Sequence, residues 1–219
     1  MAAMSSLWIT GRIVGHDFEL LNLDHPEVAR RVLDDIEAGI RVYYDQRWAA
    51  TERLCRFLLE EPAWLAGQQV LVLGAGVGLE TVVIGKLCAK LYVNDLAPGA
   101  LELCARQLRR NGVQGFVCLP GRYETLLLPA VDLIVGCFLV YNRDTRLAMQ
   151  HLLRRCTPPV LLLNDNFPAF RTLLRHAPRP VRALLPRGDL PCLLFDHADE
   201  AGTDDPRWAS WGAYPEATE

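Results

Sequence analysis

A chain of 219 residues, 51% of them apolar, has material for one sizeable core. Its net charge of −3 gives no electrostatic case for nucleic acid or an anionic membrane at the level of the whole chain. The seven cysteines are widely spaced and include no Cys-x-x-Cys pair, which fits reduced thiols in a cytoplasmic protein and neither a disulfide framework nor a zinc site. The start, MAAMSSLWITGR, has no basic region followed by a long apolar stretch, so no secretory signal is expected. No apolar run approaches the roughly 18 residues of a membrane span.

In chain order, residues 7–23 alternate loosely around two glycines and predict a β-hairpin outside the main sheet. Pro26 opens a helix that Gly39 stops. WAATERLCRFLLEE, residues 48–61, reads as an amphipathic helix with Trp48, Leu54, Cys55, Leu58 and Leu59 near one face. There follow strand 70–73, helix 79–88, strand 91–95, helix 98–110 and strand 115–120. The pattern continues with strand 131–140, helix 144–155, strand 160–165, a short helix 167–176, and two candidate strands at 181–186 and 192–198. Strands alternating with helices predict an α/β fold, a mostly parallel sheet with right-handed crossovers. Only a few residues around Arg187, Gly188 and Asp189 separate the last two strands, too few for a helical crossover, so one of them must run antiparallel. The expected organisation is a single domain over 1–198, with 1–45 as an N-terminal hairpin and helix extension, and an acidic tail over 199–219 that Trp208, Trp211 and Tyr214 could pin.

The stretch VLVLGAGVGLETVV carries the strongest signal. Four apolar residues, 70–73, read as a strand covered on both faces. Gly74, Gly76 and Gly78 then break the run ahead of a helix. Bare backbone between a strand and a helix lets the chain turn sharply and lets a ligand touch main chain, and the helix N-terminus behind it offers free N–H groups. A dinucleotide fold needs a third glycine where Leu79 stands, which counts against a nicotinamide dehydrogenase. Asp95 ends the next strand, placed to accept hydrogen bonds from ribose hydroxyls.

On RWAATERLCRFL, VLVLGAGVGLE, VNDLAP and DLIVGCFLVY, residues 8–165 resemble the seven-β-strand S-adenosylmethionine-dependent methyltransferases. They are most similar to the methyltransferase-like protein-lysine methyltransferases, including those acting on electron transfer flavoprotein β-subunit. The resemblance implies a Rossmann-like seven-stranded sheet with helices on both faces and S-adenosyl-L-methionine as cofactor. Gly74, Ala75, Gly76 and Gly78 would bracket its methionine part, Asn94 and Asp95 would serve the ribose side, and Trp48 would lie over the pocket with Cys137 nearby. Gly121 to Glu124, with Arg122 and Tyr123, occupy the family's adenine-edge position. The chain departs from the family at Val72, where an acid is usual, and at Phe138-Leu139-Val140-Tyr141, which keeps the tyrosine of the lysine-specific Asp-x-x-Tyr and loses its acid.

Methyl transfer needs an acceptor held in line in a dry pocket, and an amine acceptor must lose its proton. The carboxyl edge of the sheet gathers Gly74, Asp95, Tyr141, Asn142, Asn164, Asp165 and Arg122. Tyr141, Asn164 and Asp165 are the catalytic candidates; Asp165 or Asn166 could equally cap the following helix, and Tyr141 could be a packed strand-end tyrosine. A protein lysine, a small-molecule N- or O-acceptor, or a non-catalytic binding scaffold all remain open as readings. Arg171, Arg175, Arg179, Arg182 and Arg187 read as a solvated face and turn, or as a dock for an acidic partner or the acidic tail. The five histidines have no metal-ligand spacing, and no metal is expected.

Overall fold

The computed structural model describes residues 6–164, 167–183 and 192–196. Its N-terminal unit is a hairpin of β1 (Trp8–Ile13) and β2 (His16–Leu21), paired antiparallel and separate from the main sheet. Val14 and Gly15 both take positive φ at its tip, the geometry of a two-residue turn that matches strand twist. Helix α1 (Pro26–Glu37) follows, begun by a proline and by His25, whose side chain accepts from the Glu27 amide. A segment without regular structure, residues 40–48, leads to α2 (Ala49–Glu60), for which Trp48 is the N-cap. Trp48 therefore precedes the helix instead of lying on its face.

The main sheet contains β3 (Gln69–Leu73), β4 (Lys90–Asp95), β5 (Val117–Pro120), β6 (Leu133–Cys137), β7 (Val160–Leu163), β8 (Val181–Ala183) and β9 (Cys192–Phe195). Their order is β5-β4-β3-β6-β7-β9-β8. Every pairing is parallel except those of β9, which runs antiparallel to both β7 and β8. The antiparallel strand expected near the C-terminus is thus β9, inserted between β7 and the edge.

Helices α3 (Leu79–Leu87), α4 (Pro98–Arg110), α5 (Arg143–Arg155) and α6 (Pro168–Arg175) fill the crossovers. Residues of the central strands alternate between two cores. Val70, Val72, Val93 and Val135 pack with α2, α3 and α4, while Leu71, Leu73, Ile134 and Leu162 pack with α5 and α6. This explains why β3 reads as an unbroken apolar run, since both its faces are buried. A third cluster joins α1 and residues 40–44 to α4 through Leu21, Val28, Tyr44, Ala97, Ala100 and Leu103, with Val77 of the glycine loop packed on it.

Strand β6 stops at Cys137, three residues short of the expected end, because Phe138 takes a left-handed φ of 59° and turns the chain out of the sheet. Arg179 is another departure: it is buried, and its guanidinium donates to the Pro158 carbonyl at 2.8 Å and to the Asp196 carbonyl at 3.2 Å. It ties the start of β7 to the end of β9 and belongs to no solvated face. Arg187, Asp165, Asn166 and the tail from 197 onward lie outside the described residues. Among the described residues no helix is long and apolar enough to cross a membrane, and no three His, Cys, Asp or Glu side chains are grouped to hold a metal.

Candidate active site

Strand order reverses at β3, whose neighbours β4 and β6 are reached by crossovers in opposite directions, and open α/β sheets bind ligands at that switch point beyond the carboxyl ends of the strands. Gly74, Gly76 and Gly78 leave β3 with φ of 55°, 53° and 80°, all in the left-handed region. A side chain at Gly74 would make the end of the Leu139 side chain shift, and one at Gly78 would crowd Cys104 and Thr81, in addition to the strain of φ. At Gly76 an added Cβ would lie 3.3 Å from the Tyr44 Cβ. Gly78 caps α3 with no side-chain hydrogen bond to the helix start.

The loop is braced from two sides. Gly76 donates its N–H to Asp95 Oδ2 at 2.8 Å, and Ala97 donates to Oδ1 at 2.9 Å. Gln107 of α4 donates from Nε2 to the Val77 carbonyl at 2.7 Å while its Oε1 accepts the Leu21 amide, tying the hairpin to the loop. Burial pushes the Asp95 carboxyl above the ordinary value, and the Ala97 and Gly76 amides pull it back. A carboxylate offers about four lone-pair sites, so Asp95 keeps acceptor capacity for a ligand hydroxyl beside these amides. Ala75 is buried, and its amide donates to the Asn94 carbonyl at 3.0 Å. The Asn94 side chain donates to the Leu119 and Gly121 carbonyls at 2.7 and 2.8 Å and fixes the loop after β5. Its buried Oδ1 has no hydrogen-bond partner.

That loop treats its two candidates differently. Arg122 is exposed and pairs with Glu124. Tyr123 sends its ring into the core beside α5, with its hydroxyl 3.4 Å from the Thr145 carbonyl, so its side chain is directed away from solvent.

An aromatic cluster forms around the loop that follows β6. Trp48 stacks on Phe138 with ring centroids 4.2 Å apart and an angle of 24°, and Phe167 meets Phe138 edge-on at 5.5 Å. Tyr43 meets Tyr141 edge-on at 5.1 Å. The strained φ of Phe138, which costs a bulky residue on the order of 1 kcal/mol or more, is held by this stacking and by the hydrogen bond its N–H donates to the Leu163 carbonyl at 2.8 Å. Burial, then Tyr43, pushes the Tyr141 hydroxyl up to about 12, so it stays protonated at neutral pH. Cys137, buried at the end of β6, lies 3.7 Å from the Thr51 hydroxyl.

Asn164 has a defined task. Its Oδ1 accepts the Val140 amide at 2.8 Å and its Nδ2 donates to the Val140 carbonyl at 2.9 Å, clasping the backbone next to Tyr141. Asn142 caps α5 in a capping box with Thr145, and Phe167 stands at the N-cap of α6 with no side-chain cap bond. The structure therefore joins Gly74 to Gly78 with Asp95, and Trp48, Phe138 and Tyr141 belong to an aromatic group connected to that loop through Leu139 at Gly74 and through Tyr43 and Tyr44 at Gly76. Sequence reasoning missed Tyr43 and Tyr44, which carry no motif of their own.

No family model matches the chain. A histone-arginine methyltransferase of Xenopus laevis is 29% identical over 119 residues, 49% of this chain and 51% of that protein. The electron transfer flavoprotein beta subunit lysine methyltransferase of Mus musculus is 31% identical over 104 residues, 47% of this chain and 40% of that protein. The chain thus spans about half the length, or less, of the curated relatives it matches. Among solved structures, a T. thermophilus 16S rRNA methyltransferase in complex with AdoMet and guanosine superposes with a TM-score of 0.64 at 18% identity, over 89% of this chain and 52% of that one. The chain has the seven-stranded α/β fold of the S-adenosylmethionine-dependent methyltransferases and resembles, over about half its length, members that methylate protein arginine and lysine.

Proposed function

We propose that the protein is an S-adenosylmethionine-dependent methyltransferase whose acceptor is a protein side chain, with lysine as the first candidate. The observation that carries this is the left-handed glycine loop tied at Gly76 to Asp95, with Tyr44 beside Gly76 and its neighbour Tyr43 packed edge-on against Tyr141. The residues present fit the cofactor. Bare Cα atoms at Gly74, Gly76 and Gly78 allow close approach of its amino-acid end, Asp95 keeps lone pairs for ribose hydroxyls, and Asn94 Oδ1 is an unused acceptor beside the loop assigned to adenine. When bound, S-adenosylmethionine supplies a methyl group on a sulfonium, ready for in-line displacement. The protein's task is then placement and exclusion of water. Trp48 and Phe138 form a dry wall, and Asn164 fixes the backbone that presents Tyr141. The protonated Tyr141 hydroxyl orients the acceptor nitrogen. Asp165, next to Asn164 in the chain, is proposed to take the acceptor's proton.

A second reading, a small-molecule N- or O-acceptor, is favoured by Phe138, which puts an apolar ring where the Asp-x-x-Tyr pattern of the resembled family has its acid. Calorimetry separates both from a nicotinamide enzyme: binding of S-adenosylmethionine and S-adenosylhomocysteine without NAD is expected, and the reverse would overturn the proposal. Tyr141→Phe is expected to lower turnover at least tenfold, about 1.4 kcal/mol of transition-state stabilisation, while cofactor affinity holds. Unchanged turnover in steady-state assays would remove Tyr141 from the acceptor site.

A further inference from the structure

The segment between α1 and α2 is anchored by a buried polar triad that the proposed reaction does not use. Asp35 of α1 and Tyr44 are 5% and 6% exposed. The Tyr44 hydroxyl donates to Asp35 Oδ2 at 2.6 Å. The Gly99 amide, in the first turn of α4, donates to the same carboxylate at 3.1 Å to Oδ2 and 3.3 Å to Oδ1. A carboxylate at a helix N-terminus is favoured by unpaired N–H groups and the dipole. Gly99 makes the approach possible, because a Cβ there would lie 2.5 Å from Asp35 Oδ2 and 2.7 Å from the Tyr44 hydroxyl.

Helix α1 has other contacts with α4 besides this triad. Val28 is fully buried against α4, and Arg31–Glu102 and Arg106–Glu27 already bridge the two helices at the surface. Burying a carboxylate is costly unless its partners are secured, so its presence needs another reason. What Asp35 adds is control of Tyr44. Tyr44 packs its Cβ over Gly76, and its neighbours in the same segment, Tyr43 and Trp48, meet Tyr141 and Phe138.

We infer that Asp35 and Tyr44 are positioning residues for the cofactor loop: they latch residues 40–48 onto the N-terminus of α4 and so hold this segment over Gly76 as one wall of the cofactor cleft. The inference rests on the cofactor reading above. The latch acts through Tyr44 on the loop and touches no reacting atom.

The test uses the full chain, with S-adenosylhomocysteine as the probe. Tyr44→Phe removes one hydroxyl and keeps the ring, Asp35→Asn keeps the shape and removes the charge, and Gly99→Ala displaces the carboxylate with both partners intact. Each single variant is expected to raise Kd about tenfold, chiefly by faster dissociation in stopped flow. The Asp35→Asn/Tyr44→Phe double variant should be less than additive, because both substitutions act on the same Tyr44–Asp35 contact. Glu102→Gln, which weakens one of the two surface bridges between α1 and α4, should leave Kd within about twofold. Melting curves recorded on each sample identify any variant that has lost its fold, and the remaining latch variants then carry the comparison. Latch variants that stay folded and bind like the parent overturn the inference. So does an equal loss in Glu102→Gln, which would make α1 docking alone responsible. A parent protein with no affinity for S-adenosylhomocysteine would instead overturn the cofactor reading, and this inference with it.

Discussion

Gly76→Val is expected to weaken S-adenosylmethionine binding at least a hundredfold, about 2.7 kcal/mol, while the fold persists. Gly76 holds a φ of 53°, which costs a β-branched residue on the order of 1–2 kcal/mol. Its added Cβ would lie 3.3 Å from the Tyr44 Cβ, so the branched side chain must displace residues 40–48 or occupy the cleft itself. It would also disturb the amide that Gly76 gives to Asp95. Gly76 is the informative glycine of the three. Substitution at Gly74 or Gly78 drives a side chain into Leu139 or Cys104 and tests packing more than binding. Calorimetry on Gly76→Val, with circular dichroism for the fold, decides the matter. Parent-like affinity in a folded variant would reduce these glycines to a structural turn.

The second large effect concerns Glu80, in the first turn of α3 and 5% exposed. Burial pushes its carboxyl from the ordinary 4.5 up to about 7, its own backbone amide pulls it down, and Asp95 adds to the rise. The folded state therefore holds this proton more tightly than the unfolded chain does. The stability it contributes is complete below pH 4.5 and is lost as pH rises through about 7, an amount on the order of 3 kcal/mol. Glu80→Gln keeps the shape and an acceptor for the backbone amide but does not titrate. It should match the parent near pH 5 and exceed it at pH 8, read as urea midpoints at the two pH values. A parent midpoint that does not fall over this range, or a variant weaker than the parent at pH 8, would contradict this account.

Much of the architecture was legible because the central strands are buried on both faces. Residues 70–73, 133–135 and 160–163 are unbroken apolar runs, and helical patterns separate them. The short link before β9 excluded a helical crossover and so required one of the last two strands to run antiparallel, and the pairings show that it is β9. The end of β6 was misjudged because Phe138-Leu139-Val140 continues the apolar pattern, and only the left-handed φ of Phe138 breaks it. Arg179 looked solvated because sequence cannot say that two backbone carbonyls will receive its guanidinium.

The candidate site was legible on its motif side and opaque elsewhere. Gly74, Gly76, Gly78 and Asp95 signal themselves by spacing and strand position. Asn164 was marked by its place after β7, but its clasp on Val140 is a tertiary relationship with no local signal. Asp35 was hidden for a similar reason, since an acid within PEVARRVLDDIE reads as part of a solvated helix face. The one available hint was Gly99 in NDLAPGA, a glycine in the first turn of a helix where a side chain would ordinarily be harmless.

The central claim is methyl transfer from S-adenosylmethionine, and one labelling experiment addresses it most directly. The purified protein is incubated with methyl-labelled cofactor and an extract of its own host, and the products are resolved by size. The account predicts label on a discrete protein band, strongly reduced with Tyr141→Phe and absent with Gly76→Val. Label confined to small molecules would replace the protein acceptor with the second reading. No label in any fraction, from a parent protein shown to bind the cofactor, would contradict the enzyme and leave a binding scaffold.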